Sequence, residues 1–270
     1  MFAQSGAEQS SRGAKPSRYA KRSPKIRHRL SVISIAHSRA AARRRDMSSV
    51  SLRVIALTSS SQPVSHMASM TFDLAVVDPP YGIGESGAKN RSRGCLATAA
   101  AYTPFAGKDK SAPPKSYFNE LLRVSKNQII WGANHFASRL PKVDSSCWLV
   151  WDKENGSTDF ADCELAYTSF KTAVRIFKFR WQGMLQGDMK HKERRIHPTQ
   201  KPVALYAWIF SRYAKPGDRV LDTHLGSGSS RIAALNAGLD FVGIELDKTY
   251  FDLEEKRFSE YSAQMRMEDL

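Results

Sequence analysis

Short apolar runs alternate with segments of helical period from Thr71 onward. Strands that alternate with helices in this way are typical of a parallel sheet whose two faces are covered by helices. We therefore expect an α/β fold with a mostly parallel central sheet flanked by helices. The predicted strands are 72–77, 128–131, 147–151, 173–179, 219–221 and 241–245, and the predicted helices are 116–124, 203–213, 230–237 and 248–261.

The size and composition of the chain indicate a globular protein. It has 270 residues, of which 41% are hydrophobic and 25% charged. This supports one sizeable domain or two small ones and excludes a chain that is disordered throughout. No run of about 18 apolar residues occurs, so we expect no membrane-spanning helix. The three cysteines (Cys95, Cys147, Cys163) form no C-x-x-C pair, so we expect a reducing compartment, no disulfide framework and no metal site.

The first seventy residues differ in charge from the rest. They hold 13 Lys and Arg residues and two acids, a net charge of +11, whereas the remaining residues carry only +4. We expect residues 1–70 to be a disordered basic tail or the product of a misplaced translation start, with 52–57 as a strand-like run. A phosphate-tracking arm and an organelle transit peptide are the alternatives. The predicted catalytic domain is 71–262, followed by a tail at 263–270.

The first motif with chemical content follows the predicted strand 72–77 and has the sequence Asp78-Pro79-Pro80-Tyr81. The two prolines cannot extend a sheet, so the strand ends there. Asp78 and the carbonyl oxygen of Pro79 can then project as two acceptors where open α/β sheets bind ligands. Two acceptors beside an aromatic ring suit a planar group that carries an NH₂, such as adenine or cytosine.

The second motif is typical of a strand, a glycine turn and a helix start, at residues 220–229. Gly226 and Gly228 allow the backbone to approach a ligand closely. The glycine spacing is not G-x-G-x-x-G and no lysine follows, which disfavours dinucleotide and P-loop binding. Glu245 ends the next predicted strand, where an acid can accept both ribose hydroxyls of an adenosine-containing ligand. Asp222 would face the amino or positive end of that ligand.

The third motif is His197-Pro198-Thr199-Gln200-Lys201-Pro202, a rigid loop before an apolar helix. Thr199 is predicted to cap the helix, and Pro202 suits one of its first positions. Taken alone, the segment equally fits a capped helix start with a solvent-exposed lysine.

With these motifs in view, the chain resembles the amino-group DNA methyltransferases. It is most similar to compact phage-type adenine-N6 enzymes of the permuted group, in which the catalytic motif precedes the cofactor motif. The resemblance covers residues 72 to 257 and rests on the segments 78–81, 125–132, 151–153, 197–202 and 222–229 and on Glu245. It implies a Rossmann-like S-adenosylmethionine-dependent methyltransferase fold. It also implies transfer of a methyl group to the N6 of adenine in double-stranded DNA, at a base flipped out of the duplex.

The resemblance assigns roles to individual residues. The catalytic residues are Asp78, Pro79, Pro80 and Tyr81. The cofactor residues are Thr199, Lys201, Pro202, Asp222, His224, Leu225, Gly226, Ser227, Gly228, Ser229 and Glu245. His224 stands where many relatives carry Phe. The strand that usually precedes the catalytic strand is not evident at 63–70, and its loss would expose a sheet edge or damage the pocket.

A basic segment between residues 167 and 197 is the candidate for DNA contact. Basic side chains there alternate with Phe177, Phe179 and Trp181, which fits phosphate contact combined with stacking, or a solvated strand face. The candidate DNA-binding residues are Arg175, Lys178, Arg180, Lys190, Lys192, Arg194 and Arg195. The segment is too short for a large recognition domain, and the long loop 82–114 is a second candidate.

Several alternatives remain at this stage. The enzyme could methylate cytosine N4, although an Asp that opens the catalytic motif favours adenine. A methyltransferase of RNA or of protein glutamine usually carries Asn-Pro-Pro-Tyr after its cofactor motif, which does not fit. A catalytically impaired DNA-binding relative with this fold is the third alternative. We expect a cytoplasmic protein of a bacterium or phage-infected cell, monomeric or homodimeric, that acts in restriction-modification, phage protection or regulation.

Overall fold

A computed structural model of the protein describes residues 52–56, 71–84, 109–156, 161–182 and 185–268, which fall in a single compact unit. The strands are β1 Leu52–Ala56, β2 Phe72–Val77, β3 Ser125–Trp131, β4 Trp148–Asp152, β5 Cys163–Thr168, β6 Arg175–Lys178, β7 Arg219–Asp222 and β8 Asp240–Glu245. They form one sheet in the order β1-β8-β7-β2-β3-β5-β4-β6. All neighbours pair in parallel except β5, which is antiparallel to β3 and β4. This confirms the predicted, mostly parallel sheet.

Four α-helices belong to the described part of the chain. They are α1 Lys115–Val124, α2 Val203–Tyr213, α3 Ser229–Ala237 and α4 Lys248–Glu268. Two short 3₁₀ helices, Ala133–His135 and Ala137–Arg139, follow β3. None of these helices combines the length and the apolar character that a membrane crossing requires.

The core has two layers, one on each face of the sheet. In β2, Leu74 and Val76 pack with α2 and α3, whereas Ala75 and Val77 pack with α1. Side chains of a strand alternate between its faces, and both faces of β2 are covered, so the strand is a nearly continuous apolar run. The burial of both faces holds the end of β2, and with it residue 78, in a fixed position.

Two elements differ from the sequence-based prediction because they carry no periodic signal. β5 is antiparallel and includes the charged Glu164 among its six residues, which conceals the strand pattern. Helix α4 was predicted to end at residue 261, with a tail at 263–270, yet the helix continues to Glu268. Its last turns consist of strong helix formers without an apolar stripe, so periodicity could not detect them.

The sheet edge next to β8 is covered by β1. Residues 52–56 pair in parallel with β8, from Leu52 opposite Phe241 to Ala56 opposite Glu245. The prediction that residues 1–70 lie outside the fold is therefore wrong for this segment, whose β-branched residues favour a strand. The edge of β8 is therefore paired. The rest of 1–70, Cys95 and most of the predicted loop 82–114 lie outside the described residues.

Candidate active site

The catalytic and cofactor motifs emerge from neighbouring strands at the same edge of the sheet. β2 pairs in parallel with β7, with Leu74 opposite Val220 and Ala75 opposite Leu221. Asp78 follows the end of β2 directly, and Asp222 is the last residue of β7. The carboxyl ends of parallel strands form the usual ligand crevice of open α/β sheets. The topology thus brings the two motifs together, as the sequence predicted.

Asp78 lies in a buried network of charged side chains. The Tyr81 hydroxyl donates to its Oδ1 at 2.8 Å, and the Lys201 ammonium donates to its Oδ2 at 2.7 Å. The same ammonium lies 2.8 Å from Oε2 of Glu164, and Lys153 Nζ lies 2.5 Å from Oε1 of Glu164. The Lys201 side chain is only 4% exposed. Two carboxylates thus face two ammonium groups, which is how buried charges are compensated.

The environment shifts the proton affinities of the two acids in opposite directions. Burial raises the pKa of Asp78, Lys201 opposes this effect, and the charge of Glu164 adds to it. Burial also disfavours the ionised form of Glu164, but Lys201 and Lys153 outweigh it and hold the pKa of Glu164 well below its usual range. Glu164 is therefore the permanently ionised member of the pair, and Asp78 is the one whose charge depends on its neighbours.

The position of the Tyr81 ring is fixed by Gly132. Gly132 has φ +69°, and a Cβ at this position would lie 2.0 Å from the ring of Tyr81. The ring stacks on His135, with centroids 5.0 Å apart. Only glycine fits so close to the ring in this backbone conformation. That Tyr81 stacks on a base stays a prediction.

The glycine turn after β7 is held to the acid at the end of β8. The backbone N–H of Gly226 donates to Glu245 Oε2 at 2.7 Å, and Leu246 and Asp247 donate to Oε1 at 2.9 and 2.8 Å. Gly226 and Gly228 have φ of +55° and +71°, and Gly228 directly precedes helix α3. These hydrogen bonds hold the turn and the acid together, and their role in ligand binding stays a prediction.

Asp222 is almost completely buried behind this turn. Its Oδ1 accepts from the backbone N–H of His224 at 3.0 Å and its Oδ2 from the Ser230 hydroxyl at 2.7 Å. Burial raises its pKa to about 7. A positively charged ligand group at this position would favour the ionised form.

His224, a predicted cofactor residue, is held as a neutral ring. Its ring packs edge-to-face on Tyr117 at 5.5 Å, and its Nδ1 lies 3.0 Å from Thr223 Oγ1. Burial lowers the pKa of His224 to about 4, so the imidazole is uncharged at neutral pH. An uncharged ring can replace phenylalanine without placing a charge in the pocket.

Other predicted cofactor residues shape the turn. Leu225 is buried, and its backbone N–H donates to the Ile244 carbonyl at 3.0 Å. The hydroxyls of Ser227 and Ser229 lie 3.1 Å apart. These contacts serve the turn itself.

The loop 197–202 differs from the prediction in two respects, the cap of helix α2 and the position of Lys201. Pro202 directly precedes helix α2, and its side chain makes no hydrogen bond that caps the helix. Thr199 does not cap the helix either, because its hydroxyl lies 3.1 Å from Nδ1 of His197. Glu193 takes that function, since its Oε1 accepts from the backbone N–H of Val203 at 2.8 Å. Lys201, predicted to bind the cofactor, is placed against the catalytic motif.

Arg257 connects Glu193, which precedes this loop, to the glycine turn, and we call these contacts the Arg257–Glu193 clamp. No sequence motif indicated it. Arg257 on α4 donates to the Ser227 carbonyl at 2.6 Å and to the Ser229 hydroxyl at 3.0 Å. Its other nitrogen donates to Glu193 Oε2 at 2.7 Å. The three segments are distant in sequence, so local patterns contain no signal for the clamp.

The basic segment separates into exposed charges and packed rings. The exposed members of the predicted set are Arg175, Lys178, Arg180, Lys190, Lys192 and Arg194, whereas Arg195 is half-buried. Arg195 lies 5.6 Å above the Trp181 ring and donates to the Pro198 carbonyl at 3.0 Å. Phe177, Phe179 and Trp181 pack against one another and the core. The stacking role suggested for these rings is therefore not supported, while the exposed charges remain candidates for phosphate contact.

Comparisons with known proteins agree with this geometry. A family model described as "DNA methylase", of the N6/N4 methyltransferases, matches residues 150–256. The type II methyltransferase M2.MboI of Moraxella bovis is 21% identical over 239 residues, which cover 76% of this chain and 87% of that protein. M.HinfI of Haemophilus influenzae is 25% identical over 230 residues, which cover 70% of this chain and 64% of that protein. The structure is similar to that of the cytosine-N4-specific PvuII DNA methyltransferase, with a TM-score of 0.50 at 10% identity over 77% of this chain and 87% of that one.

The family match and the similarity to type II methyltransferases support a DNA methyltransferase that uses S-adenosylmethionine. The matched residues 150–256 include the glycine turn and Glu245, and this match supports an amino-group DNA methyltransferase of the N6/N4 class. The predicted resemblance to the amino-group DNA methyltransferases is thereby confirmed, whereas the permuted motif order and the likeness to phage-type enzymes stay predictions. The choice between adenine and cytosine and the roles of single residues stay predictions.

Proposed function

We propose that the protein methylates the N6 amino group of adenine at specific sites in double-stranded DNA. The observation that carries this proposal is the position of Asp78 and Tyr81 just after β2, the strand that pairs with β7, which the glycine turn follows. An amino group held by Asp78 would lie next to a ligand bound in the turn. Proximity of this kind supplies much of the acceleration of a transfer between two bound molecules.

The residues around the turn fit S-adenosylmethionine by the chemistry of their polar groups. When bound, this molecule supplies a methyl group on a positively charged sulfur. The Glu245 carboxylate suits the ribose hydroxyls, and the buried Asp222 suits the ammonium end. The turn around Gly226 has the positive φ that a close backbone approach requires.

The catalytic motif would hold the amino group of the base. Asp78 accepts one amino hydrogen and the Pro79 carbonyl accepts the other, which favours a nitrogen with a localised lone pair. One preorganised partner of this kind lowers the activation free energy by about 3 kcal/mol. The target base has to leave the duplex, because its amino group is paired and inaccessible inside the stack.

The exposed basic side chains of the segment 175–194 are the proposed DNA contacts. They lie on the edge strand β6 and in the loop that leads to Lys201. Contacts of this type to phosphates position the duplex and carry no sequence information. Substitution of these residues should therefore weaken binding to all sequences alike.

The test is to incubate the purified chain with unmethylated DNA and labelled S-adenosylmethionine, digest the DNA, and identify the modified nucleoside by mass spectrometry. We expect N6-methyladenine, and none with the Asp78→Ala protein prepared in parallel. N4-methylcytosine alone would favour the alternative of a cytosine-N4 enzyme, since an acceptor pair suits either amine. The absence of both products would contradict the proposal.

A further inference from the structure

Lys201 divides its charge between two acids. Its ammonium lies 2.7 Å from Asp78 Oδ2 and 2.8 Å from Glu164 Oε2. The two carboxylates therefore compete for one buried cation. Whichever acid is less well compensated elsewhere takes the larger share of it.

Lys153 determines the outcome of this competition from outside the catalytic motif. It follows β4 directly, and its ammonium lies 2.5 Å from Glu164 Oε1, the oxygen that Lys201 does not use. Its backbone N–H donates to the Asp162 carbonyl at 2.9 Å, which anchors it beside β5. Because Lys153 compensates Glu164, Lys201 remains available to Asp78.

We propose that Lys153 is a positioning residue for methyl transfer. Through Glu164 and Lys201 it keeps Asp78 ionised, so that Asp78 can accept a hydrogen bond from the amino group of the base. This inference rests on the proposed role of Asp78 as the acceptor. Lys153 itself touches neither Asp78 nor, on this account, the substrate. Its effect reaches Asp78 through the ion pairs of Glu164 and Lys201.

Three other ionisable groups act on Asp78 or are influenced by its charge. Tyr81 follows β2 and donates to Asp78, Asp222 ends β7, and Tyr206 lies on α2. Burial raises the pKa of both Asp222 and Tyr206, and both groups are further influenced by the charge of Asp78. Neither is positively charged at any pH, so neither can replace the compensation that the two lysines provide.

The consequence is a defined shift in the pH dependence of activity. Without the Lys153 charge, Glu164 draws Lys201 toward itself and Asp78 holds its proton more tightly. The acid limb of kcat/KM should then move to higher pH by about one unit, as expected for one lost charge near a partly buried acid. Above this limb Asp78 is ionised again, so activity should return.

The experiment measures kcat/KM of the full chain on unmethylated duplex DNA from about pH 5 to 9 for four proteins: the unaltered chain, Lys153→Gln, Lys153→Arg and Lys126→Gln. Lys126 is the matched control, because it also pairs with a carboxylate, Asp73 at 2.6 Å, but lies outside the site. We expect the acid limb to shift in Lys153→Gln alone and Lys153→Arg to retain the original profile. Affinity for S-adenosylmethionine, measured by calorimetry, should be unchanged in all four.

Three results would overturn the inference: an unshifted acid limb in Lys153→Gln, an equal shift in Lys126→Gln, or a loss of activity in Lys153→Gln that persists at high pH. These results differ from a failure of the proposed function. In that case the unaltered chain itself would yield no methylated adenine.

Discussion

Replacement of Lys201 by methionine should expose the energetics of the buried network. The substitution keeps an unbranched side chain that is one atom shorter and removes its charge. Asp78 then loses the cation at 2.7 Å, while Glu164 retains Lys153 at 2.5 Å. The uncompensated group is therefore Asp78, whose carboxyl group lies in a site where Lys201 is only 4% exposed.

The expected cost follows from the loss of one partner of a buried ion pair. Such losses typically destabilise a protein by about 3–5 kcal/mol. We expect about 3 kcal/mol at pH 8, the lower end, because only one of the two carboxylates loses its compensation. Activity should fall as well, since a protonated Asp78 cannot accept an amino hydrogen with that oxygen.

The sign of the pH dependence makes this prediction specific. Burial already raises the pKa of Asp78 above its unfolded value, and the loss of Lys201 raises the pKa further. The folded variant then binds more protons than the unfolded chain between the unfolded pKa, about 4, and the raised folded pKa. Stability of the variant must therefore decrease as the pH rises through this window and recover as the pH falls.

The assay is urea denaturation of the Lys201→Met and unaltered proteins at pH 5 and pH 8, without S-adenosylmethionine. The difference in the free energy of unfolding should be clearly smaller at pH 5. Lys126→Met, which removes an exposed ion pair with Asp73, should show no such dependence. A difference below about 1 kcal/mol at pH 8, or one that is the same at both pH values, would refute the charge-compensation argument.

Two further substitutions test the two halves of the site. Glu245→Ala should weaken S-adenosylmethionine binding by about 1–3 kcal/mol in calorimetry, because a charged acceptor is lost; an unchanged dissociation constant would remove Glu245 from the cofactor site. Gly132→Ala should displace Tyr81, because the added Cβ would meet its ring at 2.0 Å, and should reduce the methylation rate while S-adenosylmethionine affinity stays the same. Normal activity of Gly132→Ala would show that the ring position is not needed.

The sequence predicted those parts of the site that consist of short contiguous motifs. The Asp-Pro-Pro-Tyr motif, the glycine turn and Glu245 each follow a strand with a clear apolar pattern. Their strands are neighbours in a parallel sheet, so their meeting at one edge could be predicted. Helix α2 begins and ends at the predicted residues for the same reason, since its apolar face is regular.

The parts that sequence reasoning missed arise from contacts between distant segments. Glu164 lies on the unpredicted strand β5, and its partner Lys201 lies in a loop 37 residues later. The Arg257–Glu193 clamp spans 64 residues. A charged side chain in a short antiparallel strand gives no periodic signal, and ion pairs between separate elements depend on the finished fold.

Strand β1 was also misjudged because its place in the fold depends on contact with a distant segment. Its composition is strand-like, but the basic, pattern-free sequence around it argued against a place in the fold. Its pairing with β8 comes from tertiary context, because an edge strand gains stability only when a partner edge is present. Composition therefore assigned the segment to the wrong side of the domain boundary.

The most direct test of the central claim, that Asp78 holds the amino group beside the cofactor turn, is the single-turnover rate of Asp78→Asn on unmethylated duplex DNA. Asparagine preserves the size of the side chain and replaces one acceptor oxygen by a donor. We predict a rate reduced by about 10²–10³, the effect of removing one preorganised partner, with S-adenosylmethionine affinity unchanged. A rate close to that of the unaltered protein would contradict the claim.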